Sequence, residues 1–159
     1  MERIKKSHWI LKRFDELTVR ELYEILSLRN RVFIVEQKCP FQDIDGLDFC
    51  SYHMFSSNEE GKINAYLRII EKGKCYDEAS IGRVIVRADQ RGTGIAREMM
   101  LKAIDFVENG LQGHAIRIGA QAKLTKFYEG VGFRTVSEIY EEDGIAHVEM
   151  LYHTNTKST

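Results

Sequence analysis

Proline is nearly missing from this chain. Pro40 is the sole example, and no Pro-, Ser- or Gly-rich linker divides the sequence. Without such a linker, 159 residues read as one domain spanning 1–159, with a flexible tail expected over 153–159. Cysteine is scarce too. Cys39, Cys50 and Cys75 are odd in number and form no Cys-x-x-Cys pair, which argues against a disulfide framework or a zinc site. No apolar run reaches the ~18–20 residues of a membrane span, and the charged first six residues lead into no secretory hydrophobic stretch. A basic excess is also lacking: 23 Lys and Arg face 24 Asp and Glu, for a net charge of −1. That balance offers no stripe for tracking phosphates. The expectation is a cytoplasmic protein with free thiols, no metal, and neither nucleic acid nor membrane as partner.

What is present suffices for one packed core, since 43% of residues are hydrophobic. Residues 8–14 read as an opening strand. Thr18 followed by Glu21 has the pattern of a capping box, and Leu22, Ile25, Leu26, Val32 and Phe33 continue at helical spacing. This helix should stop near Lys38, because the residue before a proline avoids helical angles. Residues 41–51 form an acidic loop. Strands are expected over 52–56, 63–70, 80–86 and 115–119, helices from Gly94 and over 124–129. A closing hairpin of 134–140 with 145–152 turns at Glu142-Asp143-Gly144. That order implies an α/β domain with a mixed sheet.

The most informative segment is Val84-Ile85-Val86-Arg87-Ala88-Asp89-Gln90-Arg91-Gly92-Thr93-Gly94-Ile95-Ala96. A buried strand passes through a polar loop into a glycine-rich helix start. The first amides of a helix lack internal partners and attract anions. Gly92 and Gly94 let a diphosphate approach them, Ala96 stays small, and Arg91 adds charge. A P-loop would need Lys and Ser/Thr where Ile95 and Ala96 stand. The dinucleotide fingerprint would need a small residue at Arg97.

The stretch Arg91-Gly92-Thr93-Gly94-Ile95-Ala96 resembles the (Gln/Arg)-x-x-Gly-x-(Gly/Ala) signature of GCN5-related N-acetyltransferases (GNAT). The resemblance implies a mixed, mostly antiparallel sheet flanked by helices, with a splayed central strand pair. It also implies acetyl-CoA as co-substrate. The loop amides would bind the diphosphate of coenzyme A, and Val84, Ile85 and Val86 would meet the pantetheine arm. Leu124-Thr125-Lys126-Phe127-Tyr128-Glu129-Gly130-Val131-Gly132-Phe133 resembles the second signature of that family, in which Tyr128 would protonate the departing thiolate. Alone, a Phe-Tyr pair is more often core. Gln121 replaces an asparagine common in relatives.

Arg29 falls on the apolar face of the first helix, and Glu36 continues that face seven residues on, about 10.5 Å along an ideal helix. Charges turned toward a core are costly unless paired or lining a wet pocket. One reading is an ion pair with Asp43, Asp45 or Asp48. The other is an acceptor cleft lined by Arg29, Phe33, Glu36, Asp45 and His147. Residues 29–40, Asp43-Ile44-Asp45-Gly46 and residues 140–145 resemble the ElaA-like acetyltransferases. The same first half resembles acyl-homoserine-lactone synthases at Arg29, Phe33, Asp43, Asp45 and Asp48, with Cys39 in place of their tryptophan. The expected activity is acetyl transfer to the amine of a small molecule or peptide in a ternary complex. Glu36 is the first candidate base, then Asp45 and His147. A non-catalytic acyl-CoA sensor and lactone-type acyl transfer are the alternatives, and a homodimer accords with the resemblance.

Overall fold

The structure, a computed structural model, describes residues 8–154. Among these, eight strands form one sheet: β1 (Trp9–Arg13), β2 (Ser51–Ser57), β3 (Ile63–Ile70), β4 (Ala79–Val86), β5 (Ala115–Gln121), β6 (Arg134–Thr135), β7 (Tyr140–Glu142) and β8 (Ile145–His153). The order is β1-β2-β3-β4-β5-β8-β6, with β7 also on β8. Every pairing is antiparallel except that of β4 with β5. Three helices flank the sheet: α1 (Val19–Arg29), α2 (Ile95–Asp105) and α3 (Thr125–Glu129).

Alternation along each strand assigns its side chains to two faces. Ala65, Leu67 and Ile69 of β3, Ala79 and Ile81 of β4, Ile116, Ile118 and Ala120 of β5, and Val148 and Met150 of β8 share one core. Met99, Met100, Ala103 and Ile104 of α2 close it. The opposite face is covered only in part. There Ile25 and Leu28 of α1, with Val32 beyond it, pack on Phe55, Ile63, Tyr66 and Ile85. The second face of β5 and β8 receives no helix from this cluster and carries Arg117, Gly119, Gln121, His147 and Glu149.

Thr18 caps α1 as the sequence implied: its hydroxyl accepts from the Glu21 amide at 3.0 Å, and the Glu21 carboxylate accepts from the Thr18 amide at 2.8 Å. Beyond Arg29 the helix widens into a π-helical segment, Asn30–Glu36. Gln37 donates to the Val32 carbonyl and Cys39 to that of Ile34, both at 3.2 Å and both five residues back. Wide turns hold an extra residue, so the even helical spacing that put Glu36 on the same face as Arg29 fails here. The closing hairpin also differs from expectation. Arg134↔Leu151 and Tyr140↔His147 pair with different offsets, so the strand expected over 134–140 is two short strands around a bulge. In the interruption the Ser137 hydroxyl accepts the Glu149 amide at 2.8 Å, replacing a ladder carbonyl. Residues expected in the tail are partly fixed. His153 ends β8, and the Thr154 amide donates to the His114 carbonyl at 2.9 Å; 155–159 lie outside the described residues.

Candidate active site

Gly92 and Gly94 both have positive φ, 79° and 84°, and a Cβ at either would meet nothing within 4 Å. The chain therefore turns through left-handed angles that glycine adopts without strain, and the outer side of the turn is open. The first bond of α2 is from the Glu98 amide to the Gly94 carbonyl, 3.1 Å. Amides 92–97 find no acceptor among the described residues. Six consecutive N–H groups at the positive end of a helix make a cradle for a diphosphate. Thr93 braces the turn by donating its hydroxyl to the Gln90 carbonyl at 2.7 Å. Arg91 lies alongside, with Nε on the Val86 carbonyl at 3.1 Å and Nη2 on the Glu36 carboxylate at 2.7 Å. Residues 92–96, with Arg91, thus fit the group that the sequence suggested.

The turn stands at the mouth of a slot. β4 and β5 are paired only at Ala79↔Ile116 and Ser80↔Arg117, and beyond this they part. On the other edge of β4 the register to β3 shifts between Tyr66 and Arg68, a bulge that falls at Arg83, whose φ is 52°. A non-glycine residue at this angle costs of order 1–3 kcal/mol and needs strong anchoring. The anchors are Asp43, whose carboxylate is 2.7 Å from Arg83 Nε and whose carbonyl accepts from Nη2 at 2.8 Å. The Arg87 amide donates to Asn64 on the β3 side at 2.8 Å. By the same alternation, the N–H groups of Val84 and Val86 point away from β3 and into the slot. Ile85 instead turns its side chain into the core under α1.

The acidic loop is held by three arginines. Arg29, with no exposed surface, donates to Asp43 at 2.7 Å and to Asp48 at 2.6 Å. Arg68 reaches Asp45 and Asp48, and Arg83 reaches Asp43 and Asp45. Of the two readings for Arg29, the geometry supports the ion pair: it is not exposed to a cleft. Burial raises the Asp45 carboxyl, but bonds from Arg68 and the Leu47 amide outweigh it and bring it down to about 2. Asp45 is therefore a poor acceptor of protons. Phe33 packs under the Arg83 guanidinium, 5.8 Å from its ring centroid.

Glu36 stands apart from Arg29 and belongs to the glycine turn through Arg91. His147 lies on the uncovered face of β8, opposite Gln121 in register. Its Nδ1 is 2.7 Å from the Ile145 carbonyl, which fixes the proton on Nδ1 and leaves Nε2 as the acceptor. Gln121 reaches toward Gln37 at 3.5 Å, and Cys39 contacts the Asp143 carbonyl at 3.6 Å. These two contacts bridge the end of the first helix to the second half of the sheet. Tyr128 is 7% exposed, in the same cluster that Val84 and Val86 pack against. Burial pushes its hydroxyl up to about 12, and that hydroxyl has no hydrogen-bond partner among the described residues.

Sequence reasoning missed Arg83 as the bulge and Arg68 as the second anchor. Positive φ in an arginine has no local signal, and Arg68 sits in an otherwise ordinary apolar strand. A cleft of about 580 Å³ opens at the paired end of β4 and β5 beside Ala79 and Ala115. It shares no residue with the turn or the slot.

The family model described as an acetyltransferase (GNAT) domain matches residues 32–153. Protein ElaA of Escherichia coli is 41% identical over 139 residues, 86% of this chain and 90% of that one. The crystal structure of Escherichia coli ElaA superposes with a TM-score of 0.86, covering 93% of this chain and 100% of that chain. An acyl-CoA N-acyltransferase from Pseudomonas aeruginosa gives the same TM-score at 37% identity, covering 92% and 99%. A spermidine N-acetyltransferase from Vibrio cholerae, solved with CoA and spermine, shares the fold at 18% identity and a TM-score of 0.68, covering 91% and 95%. With a glycine turn of free amides, a parted parallel pair and these likenesses together, the chain belongs to the GNAT acetyltransferases, in the group of ElaA homologues.

Proposed function

We propose that this protein transfers the acetyl group of acetyl-CoA directly to the nitrogen of a small-molecule or peptide amine, with both substrates bound at once. The observation that carries this reading is the run of unpartnered amides, 92–97, at the mouth of the slot between β4 and β5. The diphosphate would lie on those amides beside Arg91. The pantetheine arm would run along the free edge of β4 at Val84 and Val86, with Gln121 on the facing strand. The Val84 amide, directed into the slot, would donate to negative charge developing on the thioester oxygen. Tyr128 keeps its proton to about pH 12 and would deliver it to the departing sulfur.

Of the three candidate bases, Glu36 is engaged with Arg91 at the diphosphate end and Asp45 is held at about 2. His147 remains. Its Nε2 would take the proton, with the Glu142 carboxylate 3.8 Å away. The amine nitrogen forms its bond to the carbonyl carbon as the C–S bond breaks.

Coenzyme A is expected to raise the melting temperature, and acetyl-CoA should release thiol in the presence of an amine panel. His147→Gln should lower kcat by about 10²-fold at neutral pH, and Tyr128→Phe by at least about tenfold, with the acetyl-CoA KM little changed. Binding without turnover, and indifference to Tyr128→Phe, would favour a non-catalytic acyl-CoA sensor. No response to coenzyme A at all would end the proposal.

A further inference from the structure

Across the slot from the bulge lies a small site that none of the acetyl-transfer residues uses. Continuing the β4–β5 register brings Gly82 level with Gly119 where the strands part. Both glycines lie on the face turned away from α2, because their neighbours Ile81, Ile118 and Ala120 point into the core. Two phenols from distant segments meet above Gly119. A Cβ built there would be 3.1 Å from Tyr140 Oη and 3.7 Å from Tyr76 Oη. Something the size of a methyl group, placed on Gly119, touches both. Neither hydroxyl has a hydrogen-bond partner among the described residues. Glu149 pairs with Gly119 in register and shares its face. Arg117 Nη1 occupies Oε2 of Glu149 at 2.9 Å, and no partner for Oε1 is found among the described residues.

We propose that Tyr76, Tyr140 and Glu149 form the seat for the acceptor's reacting nitrogen, and that the acceptor arrives as a primary ammonium on an unbranched carbon. The inference rests on the acetyl-transfer reading. An ammonium carries three N–H donors, and the seat offers three oxygen acceptors around a floor with no side chain. Neutral phenols and one carboxylate suit a cation and disfavour an acceptor with a carboxylate next to its amine. Burial first, then Cys75, Tyr140, Glu149 and Glu142, hold the Tyr76 hydroxyl up to about 12, so it stays neutral when the ligand arrives. The Tyr140 ring stacks on His147, with centroids 6.0 Å apart and planes at 26°. The seat and the His147 ring are thus side by side. The ammonium gives up one proton before attack and a second as the amide forms; one proton leaves on the sulfur and the other goes to solvent.

The test measures steady-state kinetics of Tyr76→Phe, Tyr140→Phe, Glu149→Gln and Gly119→Ala on a panel of unbranched primary amines, α-amino acids and secondary amines. Calorimetric titration with coenzyme A accompanies each variant. Unbranched primary amines should be the best acceptors of the native protein. Each phenylalanine variant should raise the amine KM about tenfold, and Gly119→Ala, whose methyl fills the seat, at least as much. The acetyl-CoA KM and the coenzyme A affinity should stay within about twofold. Preference for α-amino acids, an unchanged amine KM in both phenylalanine variants, or coenzyme binding with no amine acetylated would each overturn the seat. Failure to bind coenzyme A at all would instead remove the acetyl-transfer reading, and the seat would fall with it.

Discussion

Glu36 shows how a single carboxylate changes meaning with one wide turn. Even helical spacing set it on the same face as Arg29; the π-helical segment swings it onto Arg91 beside the cradle of amides. There it neutralises a cation that a diphosphate would otherwise use. The pair is half-exposed, and such pairs contribute about 0–1 kcal/mol. Glu36→Gln should therefore tighten coenzyme A binding by at most about fivefold while leaving kcat unchanged, as read by calorimetric titration and steady-state rates. Should kcat instead fall a hundredfold with coenzyme affinity unaltered, Glu36 would be the base and His147 would not. Tyr128 differs in kind. Its burial among Phe127 and Phe133 keeps the phenol protonated, so packing and acid chemistry are the same property there.

At the scale of elements, the acidic loop and the bulge of β4 are one unit, tied by three arginines and three aspartates. Arg29 is its centre, with no exposed surface. Removing one partner of a buried ion pair costs about 3–5 kcal/mol, because the remaining charges stay buried. Arg29→Ala should lower stability by that amount in urea unfolding. The surviving folded protein should lose acetyl transfer more than coenzyme A binding, since Arg83 loses a neighbour of its Asp43 anchor while the glycine turn is untouched. Equal loss of both would show that loop and bulge are not coupled. Legibility in the sequence follows the same division. The glycine turn, the Thr18 cap and the Asp143-Gly144 turn are local, and each depends on residues adjacent in the chain. Residues 143 and 144 take φ of 52° and 77°, as a tight hairpin requires. The seat around Gly119 draws on β5, β7, β8 and the loop before β4. No spacing rule joins Tyr76 to Tyr140, because strand order brings them together.

Over the whole molecule, the two faces of the sheet carry different burdens. The face under α2 is lined mainly by apolar side chains; the face under α1 carries the buried charges and a histidine. His53 is 1% exposed, with Nδ1 2.7 Å from the Tyr66 hydroxyl and Nε2 3.0 Å from the Asp48 carbonyl. A carbonyl only accepts, so Nε2 carries the proton and Nδ1 receives that of Tyr66. Burial first, reinforced by Arg29 and Arg68 and opposed by Asp48, lowers the His53 pKa from its ordinary 6.5. A depressed pKa means that the native state favours the neutral ring. The stability it contributes is present above about pH 6.5 and is lost as pH falls through the native value. For Asp45, burial raises the pKa but Arg68 and the Leu47 amide prevail, giving about 2 against the ordinary 3.8. Asp48 is lowered as well, its burial outweighed by Arg29 and Arg68. The contribution of Asp45 persists above about pH 4 and vanishes as pH falls toward 2; that of Asp48 is likewise lost as pH falls below the ordinary carboxylate range. The melting temperature should therefore decline in two stages on acidification, one starting near pH 6.5 and one below about pH 4. His53→Gln, which keeps a donor for the Asp48 carbonyl but cannot titrate, should flatten the first stage and spare the second. Melting curves at pH 7.5, 5.5 and 3.5 for both proteins decide the matter. If the variant kept the native slope between 7.5 and 5.5, the first stage would belong to other groups, and the α1 face would owe its acid sensitivity to the aspartates alone.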